Sequence, residues 1–273
     1  MKQLMKLAMG LSVFMASALG AQYPEPGSAC SIASDQAASL RRPVMTFPIQ
    51  VFIDSSFSSG HRSAITAAMA EWNKFSKHSL GVTFFAEKTD FKQNLKALSV
   101  GDRYCDRDFN KRLSGLAIVR DETREHIAED TLSGDANGYE VTCSGGNKVK
   151  QAELLLAIDT KKTKSEQLKA VALHELGHVL GLGHSCTPRQ KTAGFRSCNG
   201  LEKTHAYYEA AMHPMLESGP GPGFYKETPA ANDMHRAYCL YAKILKPAKR
   251  PDIATPAPLP VRTEPKPTGT DVL

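Results

Sequence analysis

The sequence lacks several features that would assign it to a broad class of protein. It contains no run of lysine and arginine of the kind that binds nucleic acid, and the formal net charge of +6 is modest. It contains no internal repeat. The apolar run near its start is too short to span a bilayer comfortably, and no stop-transfer flank follows. We therefore expect no nucleic-acid partner, no stable membrane insertion, and a monomer whose 273 residues form one generous domain or two small ones.

The first twenty residues have the pattern of a secretory signal peptide. MKQLMK carries two lysines, LAMGLSVFMASALG is apolar, and Ala18 and Gly20 provide the small residues before Ala21. No cysteine follows directly, as a lipoprotein would require. We predict a bacterial signal peptide over 1–20 and export of the mature chain, either to the periplasm or out of the cell.

All six cysteines lie in the predicted mature part, and an even number in an exported chain indicates disulfides. Cys186 and Cys198 are the favoured local pair because they close a short loop. By elimination, Cys105 would then pair with Cys143 and Cys30 with Cys239, although sequence alone does not resolve the connectivity.

The first half of the chain predicts a strand, a helix and a second strand. PVMTFPIQVFID (43–54) reads as a strand, and the apolar spacing that leads to Trp72 predicts a helix with Ser58 or Ser59 as N-cap. GVTFFAE (81–87) reads as the second strand. Together these elements have the pattern of a βαβ unit.

The second half predicts three more strands and two helices. The strands are expected at 113–120, 138–143 and 152–159, and a helix from Ser165 to Leu180 that ends at Gly181. Residues 182–227 are loop-rich, and Thr228-Pro229 predicts the start of a last helix over 229–243. The predicted domains are a lead at 21–42, a globular domain at 43–245 and a disordered proline-rich tail at 246–273.

The stretch HELGHVLGLGHS contains three closely spaced histidines. His174 and His178 are four residues apart, so on a helix both imidazoles point to one side and provide two metal ligands. Catalytic zinc commonly has a third protein ligand and an open position for water. Gly181 can adopt positive φ and turn the chain, which would bring His184 back to the same point.

Glu175 follows the first histidine and points to an adjacent side of the helix. There it would lie near the metal without binding it, as a general base for a water polarised by the ion. These parts suit hydrolysis of an amide bond. Histidines on a polar helix surface would be the ordinary alternative, but this helix is mostly apolar, and the complete five-position pattern is far more specific than HExxH alone.

HELGHVLGLGH resembles the metzincin signature HExxHxxGxxH, and the following Ser185 resembles the matrixin branch, the matrix metalloproteases and their bacterial relatives. The resemblance covers most of 44–243. It implies an α+β metzincin fold: a twisted, mostly parallel sheet packed against the active-site helix, and a smaller loop-rich C-terminal subdomain ending in a helix. It also implies one catalytic zinc ion held by His174, His178 and His184.

AAMHPML (210–216) is similar to the methionine turn of matrixins. The resemblance implies that Met212 lies beneath the metal, with Met215 as the rival position. It also implies that His213, Pro214, Met215 and Leu216 are candidates for the substrate pocket. Asp233 resembles the acidic residue of the last matrixin helix, which helps to anchor the beginning of the chain.

The chain also departs from the matrixin pattern. About 27 residues separate His184 from Met212, which is longer than in matrix metalloproteases. The PGSACS stretch around Cys30 does not match a cysteine-switch propeptide. Neither a second zinc site nor a calcium loop is recognisable, so the sequence does not support structural metal ions.

Together, residues and resemblance predict an exported zinc endopeptidase that hydrolyses peptide bonds with water activated by Glu175. Its partner would be a protein or peptide substrate. Two alternatives remain open: a non-catalytic zinc-binding adhesion or interaction protein on the same scaffold, and a toxin or maturation peptidase of narrow specificity. The intact Glu175 argues against the first alternative.

Overall fold

The computed structural model describes residues 23–37, 39–41, 43–44, 46–89, 115–121, 137–145, 148–161, 163–187, 194–214 and 225–246. The expected signal peptide, the tail from Pro247, and Cys105, Met215 and Leu216 lie outside these residues. None of the helices within the described ranges has the length and apolar character needed to cross a membrane.

The described residues form helices and a sheet in the following chain order: α1 (Ser34–Ala37), β1 (Ile49–Ile53), α2 (Ser59–Leu80), β2 (Phe85–Glu87), β3 (Leu116–Arg120), β4 (Gly138–Gly145), β5 (Lys148–Ile158), α3 (Leu168–Val179), α4 (Ala206–Glu209) and α5 (Ala231–Leu245).

The five strands form a single sheet in the order β2-β1-β3-β5-β4. The pairs β1–β2, β1–β3 and β3–β5 are parallel, and β4 pairs antiparallel with β5 at one edge. Helix α2 is the crossover between β1 and β2, so the predicted βαβ unit is present. The expected α+β architecture with a mostly parallel sheet is confirmed.

Helix α2 begins and ends where its residues cap it. The Ser58 hydroxyl accepts a hydrogen bond from the His61 N–H, and Gly81 ends the helix with φ of 71°. One face is buried, including Ile65, Met69 and Trp72. The Trp72 indole N–H donates to the carbonyl of Leu173 on α3 over 3.0 Å, which ties the two helices together.

The first two strands are shorter than predicted for local reasons. Strand β1 begins at Ile49 because Pro48 has no N–H for the ladder, whereas the N–H of Ile49 donates to the carbonyl of Phe84. Strand β2 begins at Phe85 and not at the predicted Gly81, because Gly81 is the C-cap of α2.

The predicted starts of α3 and α5 were wrong by two or three residues. Residues 165–167 form a turn in which the Gln167 side chain accepts from the Lys164 N–H, so α3 begins at Leu168. The last helix begins at Ala231 rather than Pro229, because the Asp233 carboxylate accepts a hydrogen bond from the Ala230 N–H and thereby caps it.

The main hydrophobic core lies between the sheet and helices α2, α3 and α5. Its aromatic part brings Phe75 of α2, Phe84 before β2 and Tyr241 of α5 together, with Phe47 packed against the last two. The hydroxyl of Tyr241 donates to the carbonyl of Leu180 and accepts from the N–H of Val44. The end of α3 is therefore held by the last helix.

Two disulfides join described residues. Cys186 pairs with Cys198, and Cys30 in the lead pairs with Cys239 on α5. The first is the local pair that the sequence favoured, and the second is one of the two pairings that followed by elimination. Cys143 lies on β4, and its expected partner Cys105 lies outside the described residues, so that pairing stays a prediction.

Trp72→Ala is expected to lower the free energy of unfolding by about 3–5 kcal/mol, because it empties a fully buried site and removes the bond to α3. Chemical denaturation followed by circular dichroism measures the loss. Lys74→Ala, on the exposed face of the same helix, should leave the unfolding midpoint nearly unchanged. Equal midpoints for both variants would contradict the role given to Trp72.

Candidate active site

Helix α3 carries two of the three histidines, with His178 buried and His174 half-buried. Its apolar stripe, including Val171, Leu173 and Leu176, packs into the core, and His178 and Glu175 are buried with it. Because the helix is anchored along its length, the side chains of His174 and His178 have a fixed direction relative to the sheet.

The helix ends in a Schellman motif centred on Gly181, whose φ is 84°. The Gly181 N–H donates to the carbonyl of His178, and the Leu182 N–H donates to the carbonyl of Gly177. These two bonds satisfy carbonyls that the last turn would otherwise leave open. The chain therefore reverses directly after the helix, as the sequence predicts, and carries His184 back toward His174.

The reversal brings the three imidazoles together. The ring centroids of His174 and His178 are 4.8 Å apart, those of His178 and His184 are 4.9 Å apart, and those of His174 and His184 are 5.2 Å apart. One nitrogen from each ring lies within 4.8 Å of the others, so the group could hold a metal ion.

Backbone carbonyls determine which nitrogen each buried histidine offers. Nδ1 of His174 lies 2.7 Å from the carbonyl oxygen of Ala211, and Nδ1 of His178 lies 2.7 Å from that of Leu182. Since a carbonyl only accepts, Nδ1 carries the proton in both rings and Nε2 keeps its lone pair. A metal ligand needs that lone pair, and its ring orientation is fixed by such bonds.

The environment also keeps the three rings neutral. Burial lowers the pKa of His174 and lowers the pKa of His178 well below its usual range. Desolvation in the cleft, followed by repulsion from His174, lowers the pKa of His184 to about 3, although this side chain has the most exposed surface of the three. A neutral imidazole is the form that binds a metal ion.

Glu175 lies against the start of the edge strand. Its side chain is 7 % exposed, and a Cβ placed on Gly138 would lie 2.7 Å from its Cγ and 2.9 Å from Oε1. Any larger residue at position 138 would therefore displace the carboxylate. The glutamate follows His174 directly on α3 and faces the start of β4, an edge strand of the described sheet.

Met212 lies beneath the histidine helix and is fully buried. Its sulfur contacts the backbone at Gly177, the position between the two histidines of α3, and a Cβ at Gly177 would overlap that sulfur and crowd Trp72. The absence of a side chain at Gly177 is what admits the sulfur. That Met212 is the methionine of the turn stays a prediction.

The backbone around Met212 joins the site together. The carbonyl of Ala211 holds His174, and the carbonyl of Met212 accepts from the N–H of Ser185 over 2.8 Å. The two oxygens of Asp233 accept from the N–H groups of Ala211 and Met212. The sequence implied that Asp233 helps to anchor the beginning of the chain, whereas its carboxylate holds the methionine segment.

Two of the four candidate pocket residues, His213 and Pro214, lie within the part of the chain that the structure describes. His213 is buried with its ring 4.8 Å from that of Tyr208, and it lies beside the Cys186–Cys198 disulfide. Pro214 follows it, while Met215 and Leu216 lie outside the described residues. Because the two sulfurs are joined, they offer no thiolate with which His213 could form a second metal site. A substrate-contacting role for these residues stays a prediction.

The part of the chain that carries the three histidines also matches a known protein family. A family model described as matrixin matches residues 44–193, which is more than half of the chain. The chain belongs to the matrixin family. The expectation of a matrixin-like metzincin is thereby confirmed. Within this matrixin, the matched range includes all three histidines and Glu175, whereas Met212 lies beyond it.

Among solved structures, high choriolytic enzyme 1, a hatching enzyme zinc-protease from Oryzias latipes (medaka fish), is similar to this matrixin. The two share 16% identity with a TM-score of 0.35, over 78% of this chain and 98% of the enzyme's chain. No curated protein sequence matches the chain.

Sequence reasoning missed the groups that hold the ligands. The carbonyls of Ala211 and Leu182 have no side-chain signal, since every residue carries such a group. Gly138 appeared only as the first residue of a predicted strand. Arg236 had a usable signal, because it follows Asp233 by three residues on a helix and is therefore placed for an ion pair.

Gly177→Ala is expected to destabilise this matrixin, because the new methyl group would overlap the Met212 sulfur in a closely packed core. The cost of such overpacking is typically about 1–3 kcal/mol. Gly60→Ala is the matched control, since nothing lies within 4 Å of its added carbon. Thermal unfolding of both variants distinguishes them, and equal midpoints would contradict the position of Met212.

Proposed function

We propose that this matrixin is an exported zinc-dependent endopeptidase in which His174, His178 and His184 hold the metal ion and Glu175 is the general base. The observation that carries the proposal is the convergence of three neutral imidazoles beside one buried carboxylate. Membership of the matrixin family supports zinc metalloprotease activity.

The donor set fits zinc. Three imidazole nitrogens with a fourth position left for water is a known arrangement of catalytic zinc. The rings at positions 174 and 178 present Nε2, and their protonated Nδ1 atoms are held by carbonyls. When bound, zinc would polarise the scissile carbonyl and make a nearby water more acidic.

Glu175 would accept a proton from the attacking water and deliver it to the nitrogen of the leaving amine. Because Glu175 follows His174 on α3 and is directed to another side of the helix, its carboxylate would lie near a bound ion without being a ligand. The backbone of Gly138 packs against the carboxylate and limits its movement.

An extended substrate would pair with β4. This strand is an edge of the sheet, so one side of its backbone is not paired with another strand of the described sheet. Main-chain pairing at such an edge binds peptides largely irrespective of sequence. Since Gly138 begins β4 and touches Glu175, a peptide bound there would pass the general base.

Glu175→Gln is expected to lower kcat by at least about 10²-fold while zinc content stays near one ion per chain, because it removes the base and no ligand. Cleavage of an unstructured protein, with zinc measured by mass spectrometry, tests this. Glu202→Gln, at an exposed glutamate, is the control and should behave like the wild type.

The same assays separate the alternative functions. Retained zinc with equal activity in the wild type and Glu175→Gln would contradict the proposed role of Glu175 as the general base. Retained zinc without cleavage of any substrate in a broad panel would favour a binding protein, and cleavage of very few substrates a narrow peptidase. Unchanged zinc content in His184→Ala would contradict the three-ligand site.

Gly138→Ala is expected to lower kcat with little change in zinc content, because the added carbon would push the carboxylate from its place without reaching the histidines. A displaced base should also alter the pH profile of kcat/KM. Gly194→Ala is a comparison at an open loop position; its strained φ of 82° affects stability rather than the proposed base. A wild-type pH profile in Gly138→Ala would contradict the contact.

A further inference from the structure

The N-terminal lead pairs with the turn that carries the third histidine. The Arg41 N–H donates to the carbonyl of Gly181 over 2.7 Å, and the Gly183 N–H donates to the carbonyl of Ser39 over 2.6 Å. Leu40 and Leu182 form an antiparallel bridge between these bonds. We call residues 36–41 the lead segment; of these, residue 38 is not described.

The pairing is close and extends past the histidine. A Cβ on Gly183 would overlap the carbonyl oxygen of Ser39, so the approach requires glycine there. On the other side of His184, the carbonyl of Ser185 accepts from the Gln36 side-chain amide over 2.5 Å. The backbone is therefore held directly before and directly after the third histidine.

Arg236 on α5 lies where the lead segment and the turn meet. Its side chain is 1 % exposed, and its Nη1 donates to the hydroxyl of Ser39 over 3.0 Å and to the carbonyl of Gly183 over 2.9 Å. Nη2 lies 3.4 Å from Asp233 Oδ1. A buried guanidinium is tolerated only with such partners, and these partners belong to three separate segments.

The arginine and the aspartate together reach both sides of the histidine cluster. Asp233 holds the N–H groups of Ala211 and Met212, and the Ala211 carbonyl holds His174. Arg236 holds Gly183, next to His184. The Leu182 carbonyl, which orients His178, lies in the same turn. The buried Asp233–Arg236 ion pair is thus linked to all three imidazoles through the backbone of the methionine segment and of the turn.

We infer that Arg236 is a positioning residue for His184 and that the lead segment is a permanent part of the metal centre. We call the contacts of Arg236 with Ser39, Gly183 and Asp233 the clamp. The inference rests on the proposed function, because it assigns the clamp to the zinc site. The Cys30–Cys239 disulfide keeps the lead attached to α5. Loss of the lead segment therefore weakens the site, in contrast to a prosegment whose removal activates an enzyme.

Arg236→Met tests the clamp in the full chain with its disulfides formed. Methionine fills a similar volume without the charge or the donors. We expect the Kd for zinc to rise by about 10- to 100-fold, as on removal of other groups that orient ligands. The visible bands of the Co²⁺-loaded protein should also change as His184 loses its fixed position.

Arg62→Met is the matched control. Arg62 also binds a carboxylate and a backbone carbonyl, those of Glu87 and Ile53, but these bonds join the start of α2 to β2 and β1 and not to the lead segment or the turn. Its replacement should leave the zinc Kd and the Co²⁺ spectrum unchanged. A readout that needs no metal is hydrogen exchange in the metal-free protein: the amides of Arg41 and Gly183 should lose protection in Arg236→Met only.

The outcomes separate the two proposals. A wild type that binds no zinc at neutral pH overturns the proposed function and, with it, the clamp's role in a metal centre. A wild type that binds zinc, with the same Kd and spectrum in Arg236→Met, overturns the clamp alone. Unchanged amide protection in that variant likewise overturns the clamp.

Ser39→Ala serves if Arg236→Met does not fold. It removes one acceptor of the guanidinium and the donation of the Ser39 hydroxyl to the Gln36 carbonyl, and it leaves the ion pair with Asp233 in place. A smaller rise in the zinc Kd is expected, with faster exchange of the Gly183 amide. In a double-mutant cycle with Gly183→Ala, the two effects should be non-additive, because Ser39 and Gly183 both accept from Nη1 of Arg236. Additive effects would overturn the inference.

Discussion

The reversal of the chain at Gly181 is the constraint on which the rest of the site depends. A continued helix would carry His184 well round its axis and away from the other two histidines. The Schellman bonds from Gly181 and Leu182 close the last turn and direct the chain backward. The same reversal exposes the backbone of the turn to the lead segment and to Arg236, which then fix its position.

Backbone groups carry much of the organisation around the histidines. The carbonyls of Leu182 and Ala211 each orient one imidazole, and the N–H of Ser185 joins the turn to Met212. Because these groups belong to rigid main chain, the imidazoles are oriented before any ion arrives. Such preorganisation lowers the entropic cost of binding an ion and raises the precision of the site.

Burial of polar groups has opposite consequences in two parts of this matrixin. Around the histidines it disfavours the charged rings, which suits a metal site. Asp233 and Arg236 instead have polar partners in the interior, because the carboxylate accepts the backbone N–H groups of Ala211 and Met212 and the guanidinium donates to Ser39 and Gly183. Removing one partner would leave the other charge buried and uncompensated, so the pair is a point of sensitivity in the fold.

The sequence by itself determined the local elements. Short-range rules of spacing and capping act over a few residues. They predict the helical spacing of His174 and His178, the end of the helix at Gly181, the Ser58 cap and the succession of strands along the chain. The match to residues 44–193 agrees with them. The observed boundaries differ from the predicted ones where a residue has a capping role. Gly81 ends α2 instead of starting β2, and Asp233 caps α5.

Only the tertiary structure decided how these elements support one another. Gly138 meets Glu175, Gly177 meets Met212, and Ser39 meets Gly183 across long separations in the chain, and each contact depends on the absence of a side chain. A glycine in a sequence does not reveal what approaches it. The sequence predicted no contacts for the lead at 21–42, because its pairing with the turn uses main-chain groups. These groups are the same in every residue and become specific only when the fold brings them together.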